Sequence, residues 1–257
     1  MTELVIYEQP LSEYINICLR LEGLFQRIER IFQSPTELNI AVALEQFIAI
    51  LALTERSDLK SRLAQALNSQ LNKLQQFERN PDVDGSILSH YIDVIKNHAE
   101  QLSTLDGRIG QSLRDIPLLR LMHQQLNTPG GISIHMVPAY QLWLQQPLLE
   151  RINMLKKWLE EIAFLYKINQ SLLSGCRDQQ AMMPIKAING FHQQSLNTSP
   201  QVVMIRVGIL KGEQRFAVTS VGKHRLSITF YQNKIHEGRQ IHERDPNDFL
   251  FYLACCH

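Results

Sequence analysis

The apolar residues of this 257-residue chain change period twice, and that change constrains the fold more than any motif does. Residues 3–7, with Leu4-Val5-Ile6-Tyr7, read as a short strand ended by Pro10. From about Ser12 to Leu173 apolar residues recur every three or four positions, the period of a helix facing a core. Beyond about residue 200 the period is two, as in a half-buried strand. A strand as short as the first is not stable alone, so it is expected to join the C-terminal sheet. The expectation is an α+β protein: a helical bundle domain inserted in a smaller antiparallel β-domain that contains both chain ends. The boundaries fall at 10–178 for the helical domain and at 1–9 plus 179–257 for the β-domain.

The first helix is expected from Ser12 to Phe32. Tyr14, Ile17, Cys18, Leu21, Leu24, Phe25, Ile28 and Phe32 form one wide stripe, with Ile15 and Leu19 on a second. Between them runs a narrow polar ridge that includes Arg20, Gly23 and Arg27, which suits a bundle or a dimer interface. Ser34, Pro35 and Glu37 read as N-cap, N1 and N3 of a second helix with its body at Asn39–Thr54. Ser57 is placed to cap a third, on which Leu59, Leu63 and Leu67 recur. A fourth spans Ile87–Leu105, after a loop at Pro81–Gly85. Pro129-Gly130-Gly131 is a breaker, and within 128–138 Ile132–Val137 alternates like a strand of the β-domain. Leu148–Leu173 reads as one long amphipathic helix, with Gly175 as its stop.

In the C-terminal part, Val202–Leu210 and Arg215–Val221 flank Lys211-Gly212-Glu213, a hairpin signal. Gly222-Lys223-His224 makes a second tight turn. Along Arg225–Tyr231, Leu226, Ile228 and Phe230 point one way. Residues 232–247 read as a polar loop, and Asp248–Cys256 as a closing strand.

The chain is 44% hydrophobic and 20% charged, with net charge +1. That balance argues against a dedicated nucleic-acid binder, which needs many phosphate contacts. No apolar run reaches the roughly 18–20 residues that span a bilayer, and the N-terminus lacks the pattern of a signal peptide. A cytoplasmic protein without membrane insertion is expected, with Cys18, Cys176, Cys255 and Cys256 reduced. No nucleotide-binding, nucleophile-elbow or zinc-protease signature is present. Cys255 and Cys256 would face opposite sides of a strand, against a shared metal. No cofactor, metal or catalytic residue is assigned. The features that stand out are basic: Arg20 and Arg27 on the polar ridge, Arg56 at the end of the second helix, and Lys223, His224 and Arg225 at a β-turn. Such cations suit an acidic peptide or a terminal carboxylate.

Several blocks then carry a resemblance that runs nearly end to end. They are Tyr7-Glu8-Gln9-Pro10-Leu11, Leu19-Arg20-Leu21-Glu22, Glu55-Arg56, Arg108-Ile109-Gly110-Gln111 with Leu113-Arg114, and Pro129-Gly130-Gly131. Leu142-Trp143-Leu144, Asn189-Gly190-Phe191 and Leu253-Ala254-Cys255-Cys256 follow. In their order and spacing the chain resembles the ZapD family of bacterial Z-ring-associated cell-division proteins. The resemblance implies a helical domain that mediates homodimerisation, a β-domain with both chain ends, and no enzymatic activity. It implies the C-terminal tail of FtsZ, the tubulin-like GTPase of the division ring, as partner, and the mid-cell ring as location. Arg20, Arg56, Lys223 and Arg225 fall on family positions implicated in partner binding. Three other such positions depart, being Pro117, Gln141 and Thr229 here, with Arg114, Arg120 or Arg215 as candidates to compensate. The competing expectations are a small-molecule enzyme with a site between the helical and β parts, and a nucleic-acid-binding regulator.

Overall fold

In a computed structural model, residues 3–79, 83–196, 201–236 and 239–257 are described. The chain divides into two compact units, Ile17–Leu173 and Met1–Asn16 with Ser174–His257. The helices are α1 (Glu13–Gln33), α2 (Asn39–Leu53), α3 (Leu59–Gln76), α4 (Gly85–Thr104), α5 (Gln111–Arg114), α6 (Pro117–Gln124), α7 (Pro138–Leu144), α8 (Leu148–Glu161) and α9 (Ala163–Arg177). The strands are β1 (Leu4–Pro10), β2 (Met183–Ala187), β3 (Phe191–Ser195), β4 (Met204–Leu210), β5 (Arg215–Val221), β6 (Arg225–His236), β7 (Arg239–Arg244) and β8 (Phe249–Cys256). The fold is α+β, with both chain ends in the β unit. None of the described helices is long and apolar enough to cross a membrane.

In the helical unit α1 buries Ile17, Cys18, Leu21, Phe25 and Ile28, the wide stripe of its sequence. Burial pushes the Cys18 thiol up to about 12, with help from Glu22. Most of α2 is buried, including Ile40, Leu44, Phe47, Ile48 and Leu51. Each such side chain contributes roughly 1.5–3 kcal/mol over exposure. The start of α2 lies later than a Ser34 cap requires. Asn39 Oδ1 accepts from Thr36 N at 2.6 Å, and Asn39 N donates to Thr36 Oγ1 at 3.1 Å. That reciprocal pair forms in place of one between Ser34 and Glu37. Asp84, within the expected loop, caps α4 through Ser86 N and Ile87 N.

Three further expectations fail in the helical part. Ile132–Val137 is turn, not strand: Met136 N and Val137 N both donate to Ser133 O, so these groups serve local turns instead of a ladder. Gly130 and Gly131 before it have φ of +90° and +77°, values that suit glycine. The stretch Leu148–Leu173 is two helices, because the backbone leaves α geometry at Ile162 (φ −114°, ψ 13°), whose side chain is fully buried. Gly175 does not stop α9, which continues to Arg177.

In the β unit one antiparallel sheet has the order β1-β4-β8-β2 and the other β3-β6-β5, with β7 also on β6. The first strand thus joins β4, in register Leu4↔Leu210 to Pro10↔Met204, and β4 joins β8. One core takes side chains from both sheets: Ile205, Val207 and Ile209 from β4, Leu226, Ile228 and Phe230 from β6, and Phe251 and Leu253 from β8. Lys211-Gly212-Glu213 is a turn but not a hairpin, since β4 and β5 enter different sheets. Much of the expected polar loop at 232–247 is strand: β6 runs to His236 and pairs with β7 in register Tyr231↔Arg244. Lys234 and Glu243, exposed on this ribbon, bond at 2.7 Å. Its described side chains are mostly polar and exposed, among them Lys234, His242, Glu243 and Arg244, so they give little apolar alternation to read. Gly238 lies outside the described residues.

Candidate functional site

The basic residues singled out by the sequence differ in how far the chain itself engages them: the side chains of Arg20, Lys223 and Arg225 bond no described residue, whereas those of Arg27, Arg56 and Arg114 do. Arg20 is exposed and makes no hydrogen bond or ion pair with a described residue. It shares a groove of about 500 Å³ between α1 and α2 with Arg27, whose Nη1 donates to Gln46 Oε1 at 3.1 Å. Two turns of helix separate the two arginines, about 10 Å along the axis. Leu19, Gly23 and Leu24 of α1, Ala49, Ala52 and Leu53 of α2, and Leu126 and Asn127 complete the lining.

Arg56 lies in the turn after α2, and its Nε reaches Asp58 Oδ1 at 3.3 Å. Arg62 Nε holds the other oxygen at 2.5 Å. Hydrogen bonds from Arg62 and Arg56 hold the Asp58 carboxyl below its usual range. With Glu55 next to Arg56, two guanidiniums and two carboxylates meet at this exposed turn.

In the β unit, Lys223 and Arg225 are exposed at the β5–β6 turn, closed by Gly222 N on Arg225 O at 2.8 Å. Neither side chain bonds a described residue. Alternation with buried Leu226, Ile228 and Phe230 turns Arg225 outward. Beside Lys223 lies a recess of about 320 Å³ lined by Leu11, Leu196, Gln201, Val202, Val221 and Gly222.

Arg114 belongs to the other group. Its Nη1 donates to Ile109 O (2.6 Å), and its Nη2 to Leu51 O and Thr54 Oγ1 (both 2.8 Å), at the end of α2. Burial lowers its pKa, against the pull of Glu55. The Arg108–Arg114 block is therefore a clamp on the last turn of α2. Within it Gly110 has φ +71°, and a Cβ there would lie 3.1 Å from Leu51 Cδ2.

Arg215, a candidate to compensate, stacks on the Phe249 ring at 3.7 Å and faces the buried Asp245 carboxylate at 3.3 Å. Arg120, another candidate, is exposed, as are Pro117 and Gln141.

The other sequence blocks also have structural reasons. Trp143 is buried beside Tyr140 and under Arg151. Asn189-Gly190-Phe191 forms the β2–β3 corner, where Gly190 O accepts from Phe230 N and Gly190 N donates to Asn247 O. Glu8 accepts from Arg177 at 2.6 and 2.8 Å and from Arg206 at 3.0 Å. The lining of the α1–α2 groove was not legible as a set, because its floor comes from α2.

Among the described residues no group of three His, Cys, Asp or Glu is placed to hold a metal ion. Cys256 is buried and Cys255 half-exposed, as expected for adjacent strand positions.

Comparison with known proteins places these features in context. The family model described as "ZapD: Cell division protein" matches residues 19–229. The cell division protein ZapD of Coxiella burnetii (strain RSA 331 / Henzerling II) is 33% identical over 252 residues, covering 98% of this chain and 97% of that protein. That of Photorhabdus laumondii is 31% identical over 259 residues, covering 99% and 98%. That of Nitrosomonas europaea is 30% identical over 248 residues, covering 96% and 94%. A family match over most of the chain, with full-length relatives of that identity, makes this chain a member of the ZapD cell division protein family.

Proposed function

We propose that this protein is a non-enzymatic adaptor of the division ring. It binds the C-terminal tail of FtsZ and, as a homodimer, crosslinks and bundles FtsZ protofilaments to promote Z-ring assembly in the cytoplasm at mid-cell. The observation that carries the reading is the set of exposed cations whose side chains bond no described residue, Arg20, Lys223 and Arg225, the first two of which line recesses. Cations of this kind suit an acidic peptide. Arg56 contributes from the exposed turn after α2, and Arg114 positions that turn rather than touching the partner. The helical unit, residues 17–173, supplies the dimer contact. It carries exposed Leu38, Leu142 and Leu149, at 83%, 65% and 67%, apolar surface that a second copy would cover. Two tail sites per dimer make the second contact at high effective concentration, so modest sites suffice.

The test is co-sedimentation of FtsZ polymers with the full chain. Bundling is expected with full-length FtsZ and lost with tail-deleted FtsZ. It should fall as salt rises and weaken on Arg56→Glu or Arg225→Glu. Equal bundling of tail-deleted FtsZ overturns the tail as target, and normal bundling by both reversal variants overturns the site.

A further inference from the structure

Alternation along β8 sends its last two cysteines to opposite faces of the sheet. Cys255 packs against the core shared by the two sheets, and its Sγ accepts from Gln194 Nε2 at 3.6 Å. Cys256 lies on the other face with Ala254, and the register sets Met204 and Arg206 of β4 beside them. Glu8 of β1 pairs with Arg206 on that same face. The last turn of α9 covers it: Arg177 donates to Glu8, and the Arg177 carbonyl accepts from Arg206 Nη1 at 3.1 Å. That turn carries Cys176. The Cys176 and Cys256 thiols are both buried and are hydrogen-bonded to each other.

This pair differs from the other two cysteines of the chain. Burial pushes the Cys18 and Cys255 thiols up. The Cys256 thiol is instead lowered, by the hydrogen bond from Cys176 and then by Arg206 and Arg177, against burial and Glu8. The thiolate is the reactive form of a cysteine, and it is favoured beside arginines.

We propose that Cys256 and Cys176 form an oxidation site, at which hydrogen peroxide converts the two thiols into a disulfide between β8 and α9. The Cys256 thiolate attacks one peroxide oxygen and the O–O bond breaks. The other oxygen leaves as hydroxide and is protonated to water, and the sulfur becomes a sulfenic acid. Cys176 then attacks that sulfur. The S–O bond breaks, the hydroxide leaves with the Cys176 proton as a second water, and the S–S bond forms. Two thiols lose two electrons and the peroxide gains them. Peroxide is small and uncharged, and local opening beside half-exposed His257 admits it. Hydrogen-bonded sulfurs have only to close to the disulfide length of about 2.05 Å. The bond closes a loop of about 80 residues that contains β2 to β8, so it stabilises the β unit. A dithiol reductant restores the pair by exchange.

The test treats the full chain with hydrogen peroxide, alkylates the remaining thiols and maps the peptides without reduction. Two peptides joined through Cys176 and Cys256 are expected, with two of the four thiols lost. The thermal midpoint should rise by about 5 °C or more, and dithiothreitol should reverse both changes. Cys255→Ser should behave as wild type. Cys176→Ser should stop at the sulfenic acid, trapped on Cys256 by dimedone, with no rise in midpoint. A bond between Cys255 and Cys256, or between two chains, overturns the inference. So does oxidation of Cys18 as fast as that of Cys256, which would mean general unfolding rather than a built site. Four thiols surviving excess peroxide in wild type overturns it as well, so the wild-type map decides even where Cys176→Ser does not fold.

Discussion

The helical unit and the β unit fix their internal arginines by different chemistry. In the helical unit the guanidiniums close helix ends: Arg114 on the carbonyls of Leu51 and Ile109, and Arg151 on that of Gln146. Only Arg151 adds a carboxylate, that of the exposed Glu37. In the β unit the arginines face carboxylates that are themselves largely covered. Arg177 and Arg206 share Glu8, and Arg215 reaches Asp245. A carbonyl left by its cation is an unsatisfied dipole, whereas a covered charge left by its counter-ion is an uncompensated ion, which costs more. The β unit should therefore be the more sensitive to removal of a single polar group.

The largest effect is expected at the β2–β3 corner. A Cβ on Gly190 would lie 2.1 Å from the carbonyl oxygen of Asp245, and its φ is +63°. Both the contact and the dihedral oppose any side chain there, so Gly190→Ala should cost about 4–5 kcal/mol. Chemical denaturation followed by far-ultraviolet circular dichroism checks it, and a loss under 1 kcal/mol would show that the corner rearranges freely.

Next is the contrast between clamps. Glu8→Gln keeps the shape but leaves Arg177 and Arg206, 23% and 14% exposed, without their shared charge. The expected loss is about 3 kcal/mol. Arg114→Met keeps the length and removes the donors to Leu51, Ile109 and Thr54. The expected loss there is about 2 kcal/mol. The two tryptophans, Trp143 and Trp158, both belong to the helical unit. Tryptophan fluorescence should therefore shift its midpoint more for Arg114→Met than for Glu8→Gln, although the second variant loses more overall. The reverse order would mean that the units unfold as one.

A smaller effect separates the units by pH. His98 is buried on α4, with Nε2 3.1 Å from Ser171 Oγ. Burial, and then the Lys167 charge, lower its pKa, with Gln101 opposing. The unfolded chain takes a proton near 6.5, the ordinary imidazole value, and the folded chain only at lower pH. The folded state thus binds fewer protons in between, so its stability is whole above about pH 6.5 and falls as pH falls toward the folded value. Denaturation midpoints read by tryptophan should decline across that window in wild type and decline less in His98→Gln.

Periodicity made the architecture legible wherever an element has one wet face and one dry face. α1 and the first half of β6 are such elements, and their buried residues follow the expected stripes. The reading failed where that contrast is missing. The second half of β6 and β7 pair as a ribbon whose described side chains are mostly polar, and α8 and α9 share one apolar pattern across the break at Ile162. It also failed where a turn imitates a familiar unit, as at Lys211-Gly212-Glu213, because sheet membership depends on pairing with β1, some 200 residues away. At the candidate site the cations were legible as residue types, but not which of them are engaged. Arg114 and Arg20 look alike in sequence. Only the placement of Leu51, Ile109 and Thr54 around Arg114 shows that it serves the fold. The floor of the α1–α2 groove, Ala49 and Ala52, is silent in sequence because alanine on a buried helix suggests only close packing.

That distinction between engaged and free cations yields the smallest effect on stability and the sharpest test. Arg20 and Arg225 are exposed and hold nothing among the described residues, and surface substitutions of this kind change stability by no more than about 0.5 kcal/mol. Arg20→Ala and Arg225→Ala should therefore denature with wild type, while each binds the FtsZ tail peptide less tightly and with a shallower dependence on salt. Arg114→Met should show the opposite pattern, a clear loss of stability with the salt dependence of binding unchanged, since its charge already faces inward. If Arg20→Ala destabilises the fold as much as Arg114→Met does, the free group is engaged after all. The division between cations that build the helical unit and cations that meet a partner then fails at its first member.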